Sequence, residues 1–161
     1  MKAIILRGIP GCGKSRRTIQ PVRSVGWWRI VSADHHMVND KGEYEFDASK
    51  LSACHGTCLK DYCQHVDEYH NDDSSVIIVD NTNISAVEIA PYYAVASAYG
   101  CEVEIVTLSI DQDIAFTRQK HGVSLGHHKR MASNLVYQQK QFPAYWNHKI
   151  LTWNKEKDCY E

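Results

Sequence analysis

The sequence has almost no excess of either charge, few cysteines and no long hydrophobic run, and each shortage excludes a class of protein. Lysine and arginine number 18 against 19 aspartates and glutamates, so the formal net charge is −1. No protein-wide basic field attracts nucleic acid, and a polyanion contact would need a local patch. Six cysteines in 161 residues are too sparse for a disulfide scaffold. The opening apolar run, residues 3–6, is far too short for a signal segment or a membrane span.

What remains after these exclusions is a small globular chain. No internal repeat or low-complexity segment is present, and 43% hydrophobic residues suffice to bury a core, which excludes a disordered protein. We expect one domain over residues 1–161, reduced thiols, no membrane partner and a cytoplasmic location.

The hydrophobic pattern alternates between strands and helices. Short apolar or alternating runs predict strands at 2–7, 29–32, 76–79 and 102–110. Periods of three or four residues, with capping signals, predict helices at about 13–21, 48–70, 85–100, 111–120 and 127–141. Residues 38–47 are polar and predict a loop. A last strand could lie in the tail, residues 142–161, whose structure the pattern leaves uncertain.

Two of these helices have a specific predicted start. Asp47 is the expected N-cap of the helix that begins at residue 48. Ser85 and Glu88 have the spacing of a capping box, although Pro91 can delay the regular helix until its own position.

Strands that alternate with helices predict a parallel sheet covered on both faces, which is a three-layer α/β sandwich. Ligands of such folds bind at the carboxyl ends of the strands. The chemically unusual residues follow those ends: 8–15 after the first strand, Asp34 after the second and 80–83 after the third.

The segment from Gly8 to Ser15 matches the pattern G-x-x-x-x-G-K-[ST] in full. Its glycines allow the backbone N–H groups of Gly11, Cys12 and Gly13 to surround phosphate oxygens. Lys14 can then reach the β- and γ-phosphates, and the Ser15 hydroxyl can bind Mg²⁺. We therefore expect the sandwich to be that of a P-loop NTPase, with ATP and Mg²⁺ as cofactors.

A P-loop alone does not separate kinases from GTPases or motors. The base-reading N-K-x-D of GTPases is absent, since the segment 154–158 has its aspartate one place too late. Asp34 favours a kinase, because a carboxylate there can accept a proton from an acceptor hydroxyl and help to hold the metal, directly or through water. The alternative for Asp34 is a helix cap or a solvated acid. Asp80 either contacts Mg²⁺ through water or merely ends its strand.

Several motifs together resemble a known family. The motifs are Gly8 to Ser15, Ser32 to Asp34, Phe46 and Asp47 with Leu51, and Val76 to Asn83. In this order they resemble the kinase domain of phage polynucleotide 5′-kinases, and the closest similarity is to small stand-alone P-loop kinases of the zeta-toxin-like group. Arg118 and the segment 121–123 resemble that branch too. The resemblance spans about residues 2–135.

The resemblance implies roles for particular residues. Asp34 would be the general base, Thr82 and Asn83 would line the acceptor side, and Arg118 would belong to a lid over the phosphates. The phage enzymes carry an arginine three places after the base, for an acceptor phosphate, where this chain has Met37. His35 or His36 is then the candidate replacement.

A basic segment supports the lid. Between residues 118 and 130 the chain has no acid, and its basic residues are Arg118, Lys120, His121, His127, His128, Lys129 and Arg130. Glycines at 122 and 126 would allow a hinged helical flap. Lys129 and Arg130 could instead contact the backbone of an acceptor, and a solvated helix face is the alternative for the whole cluster.

The expected function is thus an ATP-dependent kinase for a hydroxyl, with the 5′-hydroxyl of a polynucleotide as best guess. Its acceptor-binding residues would be Asp34, His35, Thr82, Asn83 and Arg130. Another hydroxyl remains an alternative: a hydroxymethyl base in DNA, a nucleoside or a nucleotide sugar. A nucleotide-dependent binding module without transfer is an alternative of another class.

Overall fold

A mostly parallel sheet forms the centre of the computed structural model, which describes residues 1–17, 27–120 and 122–161. The strands are β1 (Lys2–Arg7), β2 (Trp27–Val31), β3 (Ser75–Asp80), β4 (Glu102–Ser109), β5 (His148–Asn154) and β6 (Cys159–Tyr160). Their order across the sheet is β2-β3-β1-β4-β5-β6. The first five run parallel, and β6 pairs antiparallel with β5.

Helices cover both faces of this sheet. They are α1 (Lys14–Arg17), a 3₁₀ helix (Ala33–His36), α2 (Leu51–Tyr69), α3 (Ala86–Ala98), α4 (Gln112–Arg118) and α5 (Leu125–Gln139). One hydrophobic cluster joins the sheet to α2 and α3, and a second joins it to α4 and α5. The predicted three-layer α/β fold is confirmed.

Strand β3 shows how the sequence makes two cores. Its side chains alternate between the faces, so Ile77 and Val79 pack with α2 and α3 while Val76 and Ile78 pack with α4 and α5. A continuous apolar run is therefore what a strand buried on both faces requires.

The start of α2 differs from the prediction. The helix begins at Leu51 with Lys50 at the N-cap, and Lys50 makes no side-chain cap. The Asp47 carboxylate instead accepts hydrogen bonds from the backbone N–H of Ser49, at 2.8 Å, and from its hydroxyl. Asp47 as the N-cap is thus wrong, because a local side-chain turn competes with the helix for that carboxylate.

The start of α3 follows its capping signal and not its proline. Ser85 and Glu88 form the predicted capping box, and the helix is regular from Ala86 with Pro91 inside it. The delay to Pro91 is wrong. A proline here removes one hydrogen bond, to the carbonyl of Val87, and Val87 is 81% exposed, so water can satisfy that carbonyl.

The tail contains more structure than the pattern indicated. The expected last strand is confirmed as β5, parallel to β4, and the chain then turns back as β6. The predicted helix from about 13 to 21 is described for Lys14–Arg17, and its remainder lies outside the described residues. Among the described helices none is long and apolar enough to cross a membrane.

A buried arginine joins the central strand to distant parts of the chain. Arg7 is 0% exposed, and its guanidinium donates hydrogen bonds to the carbonyl of Ile84, at 2.8 Å, to the Thr107 hydroxyl, at 3.2 Å, and to the carbonyl of Leu135. It also lies 4.8 Å from the ring centre of Phe142. Burial lowers the pKa of Arg7 to about 10, which leaves it charged at neutral pH. Arg7 thereby ties β1 to β4, to α5 and to the segment before α3.

We expect Arg7→Ala to lower the free energy of unfolding by about 2–4 kcal/mol, because it leaves two buried carbonyls without their donor. Urea denaturation, monitored by circular dichroism, measures the free energy of unfolding. Lys149→Ala, which removes an exposed cation from β5, is the control and should change stability by less than about 0.5 kcal/mol. Equal effects of the two substitutions would show that Arg7 has no such role.

Candidate functional site

The loop after β1 has the backbone geometry of a phosphate-binding loop. Gly11 and Gly13 have φ of +80° and +91°, which favours glycine at both places. A side-chain carbon on Gly11 would lie 2.0 Å from the carbonyl oxygen of Ala115 in α4. The N–H of Gly8 donates to the carbonyl of Thr82 at 3.0 Å, so the loop is fastened to the end of β3 as well. The loop is thus fixed between β3 and α4.

Lys14 and Ser15 lie at the mouth of this loop. The Lys14 ammonium donates to the carbonyls of Gly8 and Ile9, at 2.8 and 3.2 Å. The Ser15 hydroxyl donates a hydrogen bond to the carboxyl of Asp80, at the end of β3. The charge of Lys14 also acts on that carboxyl. The structure thus brings the P-loop cation, its hydroxyl and an acid together.

Asp80 has the perturbed titration typical of a functional carboxyl. Burial raises its pKa above the ordinary value, and nearby Asp34 raises it further, whereas Lys14, the Ser15 hydrogen bond and His35 act in the opposite direction. The carboxyls of Asp80 and Asp34 and the hydroxyl of Ser15 are all oxygen ligands, the type that Mg²⁺ prefers.

The described residues contain no group of three or more His, Cys, Asp or Glu side chains that could hold a metal by themselves. A Mg²⁺ ion does not need such a cage, because it keeps waters and binds substrate phosphates with one or two protein carboxylates. Ser15 and Asp80 therefore fit a magnesium site that a nucleotide would complete. Asp80 is a residue that the sequence left undecided; its only signal was its place directly after a buried strand.

Asp34 is placed by side chains that join β2 to β3. The Ser32 hydroxyl accepts from the N–H of Asp34 at 3.3 Å and donates to the carbonyl of Asp80 at 2.8 Å. The N–H of Ala33 donates to the Asn81 side chain at 2.9 Å. Asp34 itself is exposed on the 3₁₀ helix, and its charge acts on both Asp80 and Tyr44. The carboxyl is therefore free to face a ligand at the edge where Asp80 lies.

The other residues predicted on the acceptor side have different surroundings. His35 is exposed and close enough to act on Asp80, but His36 lies 3.0 Å from Asp61 of α2. Met37, at the place of the phage arginine, is 1% exposed and belongs to the core.

Thr82 and Asn83 hold the loop together. Thr82 is half-buried, and its carbonyl accepts from Gly8. Asn83 is 3% exposed, and its amide donates to the carbonyl of Leu6 at 2.7 Å. The Asn83 side chain thus points into the end of β1, where it fixes the loop backbone, and contact with an acceptor finds no support in this geometry.

A cleft of about 520 Å³ opens in the segment after the 3₁₀ helix. Its lining residues are Asn39, Asp40, Glu45, Phe46, Asp47, Ala48 and Lys50. Three of them are acids and one is a base, and Phe46 is 54% exposed. The cleft is therefore acidic and aromatic, which does not favour a long polyanion there.

Arg118 ends α4 and packs against the β5–β6 hairpin. Its guanidinium lies 4.5 Å from the ring centre of Trp153 and 3.7 Å from the Asp158 carboxylate, and the residue is 41% exposed. Its charge acts on Tyr160, whose hydroxyl donates to the carbonyl of Cys12 in the P-loop. Arg118 is thus close to the loop. The sequence did not predict that the tail would pack against Arg118.

The predicted basic segment is divided by the fold. His128 does not belong to a cationic surface: it is 0% exposed, and its ring donates to the carbonyl of Pro10. Lys129 and Arg130 are exposed on α5, in the layer opposite to the one that contains α2 and Asp34. His121 lies outside the described residues.

The sheet order, the P-loop and the two helical layers define an α/β domain with a P-loop kinase-like fold. Residues 4–140 match the model of a family described as an AAA domain, AAA_33, and the chain belongs to that family. Human NEDD4-binding protein 2 is 35% identical over 103 residues, which are 62% of this chain and 5% of that protein. The chain thus spans a small part of that relative's length.

Solved structures show the same fold at low identity. A chain in the structure of the Pnkp1/Rnl/Hen1 RNA repair complex has a TM-score of 0.69 and 17% identity, over 88% of this chain and 46% of that one. Deoxyadenosine kinase of M. mycoides has a TM-score of 0.58 and 15% identity, over 93% and 89% of the two chains. The narrower resemblance to phage polynucleotide kinases and zeta-type toxins stays a prediction.

We expect Asp80→Asn to separate stability from ligand binding. A pKa raised in the folded state means that the charged carboxyl opposes folding, so the neutral amide should raise Tm at pH 7. This gain should shrink as the pH falls through the raised pKa towards 3.8, where the wild-type carboxyl is protonated too. Affinity for Mg²⁺ in the presence of a nucleotide should fall about 10–100-fold. Scanning calorimetry against pH, with Asp73→Asn as an exposed control, measures the stability; a lower Tm at pH 7 would contradict the expectation.

Proposed function

We propose that this protein is a phosphotransferase that moves the γ-phosphoryl group of ATP to a hydroxyl. The observation that supports this best is the meeting of four side chains at one sheet edge: the Asp80 carboxyl interacts with Lys14, Ser15 and Asp34. Phosphoryl transfer requires a cation and a metal site for the phosphates and an acid that accepts a proton. Lys14 would be the cation, Ser15 and Asp80 would bind the metal, and the exposed Asp34 would accept the proton.

Each side chain has a distinct part in this proposal. Backbone N–H groups of the loop bind phosphate oxygens, and the Lys14 ammonium exchanges its loop carbonyls for the β- and γ-phosphates. Ser15 and Asp80 would hold Mg²⁺, which would neutralise negative charge on the phosphate oxygens. Asp34 accepts the proton of the attacking hydroxyl. Its exposed position on the 3₁₀ helix leaves room for that hydroxyl between it and the phosphates.

Arg118 acts on the transferred group. It lies on α4 directly before the segment that links α4 to α5, and its planar guanidinium already stacks on Trp153 beside the loop. A guanidinium at this place can bridge phosphoryl oxygens as negative charge shifts between them.

The acceptor we propose is the 5′-hydroxyl end of a polynucleotide. The likeness to a chain of an RNA repair complex supports a nucleic acid. The acidic cleft in the segment after the 3₁₀ helix would repel backbone phosphates. We therefore expect only a few phosphates of the polynucleotide to contact the protein. Phe46 and Tyr44 are exposed there and can stack on a terminal base.

A nucleoside is the second candidate, and the same cleft favours it. An uncharged acceptor would meet no repulsion from Asp40, Glu45 and Asp47, and the buried Met37 offers no cation for an acceptor phosphate. The likeness to deoxyadenosine kinase is compatible with this alternative.

A transfer assay with γ-labelled ATP over 5′-hydroxyl RNA, 5′-hydroxyl DNA, nucleosides and nucleotide sugars tests the proposal. Asp34→Asn should lower kcat about 10²–10⁴-fold, because the amide cannot accept the proton. Affinity for ATP should change less than threefold. Asp73→Asn, an exposed acid at a distant turn, should leave both unchanged. ATP binding with no transfer to any acceptor would favour the binding module instead.

The salt dependence of binding separates the two acceptors. For a 5′-hydroxyl oligonucleotide with two or three phosphate contacts, log affinity should fall with log salt at a slope of about −0.7 per contact. Replacing both Lys129 and Arg130 by alanine should flatten the slope by about 1.4 if these residues make two of the contacts. Lys149→Ala is the control. An affinity that does not depend on oligonucleotide length or on salt concentration would favour the nucleoside as acceptor.

A further inference from the structure

Two carbonyl groups of the P-loop are held from outside the loop by side chains far away in the sequence. His128 of α5 donates from Nε2 to the carbonyl oxygen of Pro10 at 2.9 Å. Tyr160 of β6 donates its hydroxyl hydrogen to the carbonyl oxygen of Cys12. The proposed reaction uses neither side chain directly.

The partners of His128 fix its role as a donor. A carbonyl oxygen can only accept, so Nε2 carries the hydrogen, and Nδ1 accepts from the amide of Gln112 at 3.3 Å. The ring is fully buried, and Phe116 lies against it with ring centres 5.4 Å apart. His128 is therefore a donor with a fixed orientation.

Tyr160 of β6 is the second external donor to the loop. Its ring packs against Trp153, with centres 5.2 Å apart, and its edge lies 4.0 Å from where a side-chain carbon on Gly13 would be. Burial raises the pKa of Tyr160, with Cys12 adding to this and Arg118 opposing it, so the hydroxyl keeps its proton at neutral pH.

The planarity of the peptide bond connects these contacts to phosphate binding. In a trans peptide the carbonyl of one residue and the N–H of the next point in opposite directions. Holding the Pro10 carbonyl towards α5 turns the N–H of Gly11 away from α5. Holding the Cys12 carbonyl towards β6 likewise turns the N–H of Gly13 away from β6.

Both peptides concerned contain a residue that permits rotation. Each ends in a glycine with positive φ, and glycine gives little steric resistance to a peptide flip. A flipped peptide would present a carbonyl to the phosphates in place of an N–H. An external donor on each carbonyl opposes this flip.

We propose that His128 and Tyr160 are positioning residues of the phosphate cradle, which hold the N–H groups of Gly11 and Gly13 in the direction that binds a polyphosphate. The inference rests on the proposed nucleotide binding by this loop. It does not depend on which hydroxyl accepts the phosphoryl group.

The test is Tyr160→Phe, which removes the hydroxyl and keeps the ring against Trp153. Calorimetric titration gives the dissociation constant and the stoichiometry for ADP and for inorganic tripolyphosphate. Both ligands should bind about tenfold more weakly with unchanged stoichiometry, because one orienting hydrogen bond is lost. Tyr137→Phe, on the exposed side of α5, is the matched control and should bind like wild type.

The alternatives give different results. An unchanged dissociation constant, or weaker binding of ADP alone, would overturn the inference, the latter because the ring would then serve the nucleoside and not the cradle. A lower stoichiometry at an unchanged dissociation constant would also overturn it, since that indicates a fraction of misfolded protein. If wild type binds no ADP, the proposed function falls and this inference with it. If wild type binds ADP but transfers to no hydroxyl, only the proposed function fails.

A second pair of variants tests His128. His128→Gln retains an N–H donor near the place of Nε2, whereas His128→Leu retains volume without the donor. Tripolyphosphate binding should stay within about threefold of wild type for glutamine and weaken about tenfold for leucine. Equal weakening by both variants would show that the shape of the ring matters and the donated hydrogen bond does not.

Discussion

The backbone N–H groups of the loop from Gly8 to Ser15 have to point in fixed directions, and contacts from distant parts of the chain serve this requirement. A phosphate cradle requires N–H groups that converge, and an isolated glycine-rich loop has no reason to keep them so. Four elements hold the loop: β3 through the carbonyl of Thr82, α4 through the close approach of Gly11 to Ala115, and α5 and β6 through side-chain donors. The sheet and the layer of α4 and α5 therefore both contribute to one loop.

Buried polar groups around this loop divide into stabilising and functional ones. Arg7 has protein acceptors for its donors and joins the central strand to its neighbours. Asp80 is the opposite case, because burial and Asp34 both oppose its charge and only Lys14, Ser15 and His35 favour it. A carboxyl whose charged form is disfavoured in this way is typical of a site that gains a cation when its ligand binds.

The two helical layers differ in electrostatic character. Asp34 and α2 share one layer and the acidic cleft lies between them in the chain, while the exposed bases of α5 belong to the other layer. This arrangement explains how a chain with almost no net charge can still offer a local cationic surface, and why that surface is small.

Residue periodicity and local backbone chemistry were enough to predict the alternation of strands and helices, the P-loop, the capping box of α3 and the acids near the ends of β2 and β3. Contacts between distant residues depend on packing: Arg7 and His128 are buried, and the tail reaches the loop through Tyr160. The partner of Asp47 is local, but two local arrangements compete there, and the carboxylate accepts from Ser49 and does not cap α2. A hydrogen bond between residues 148 positions apart leaves no periodic signal, since only the packing of the sheet brings its two groups together.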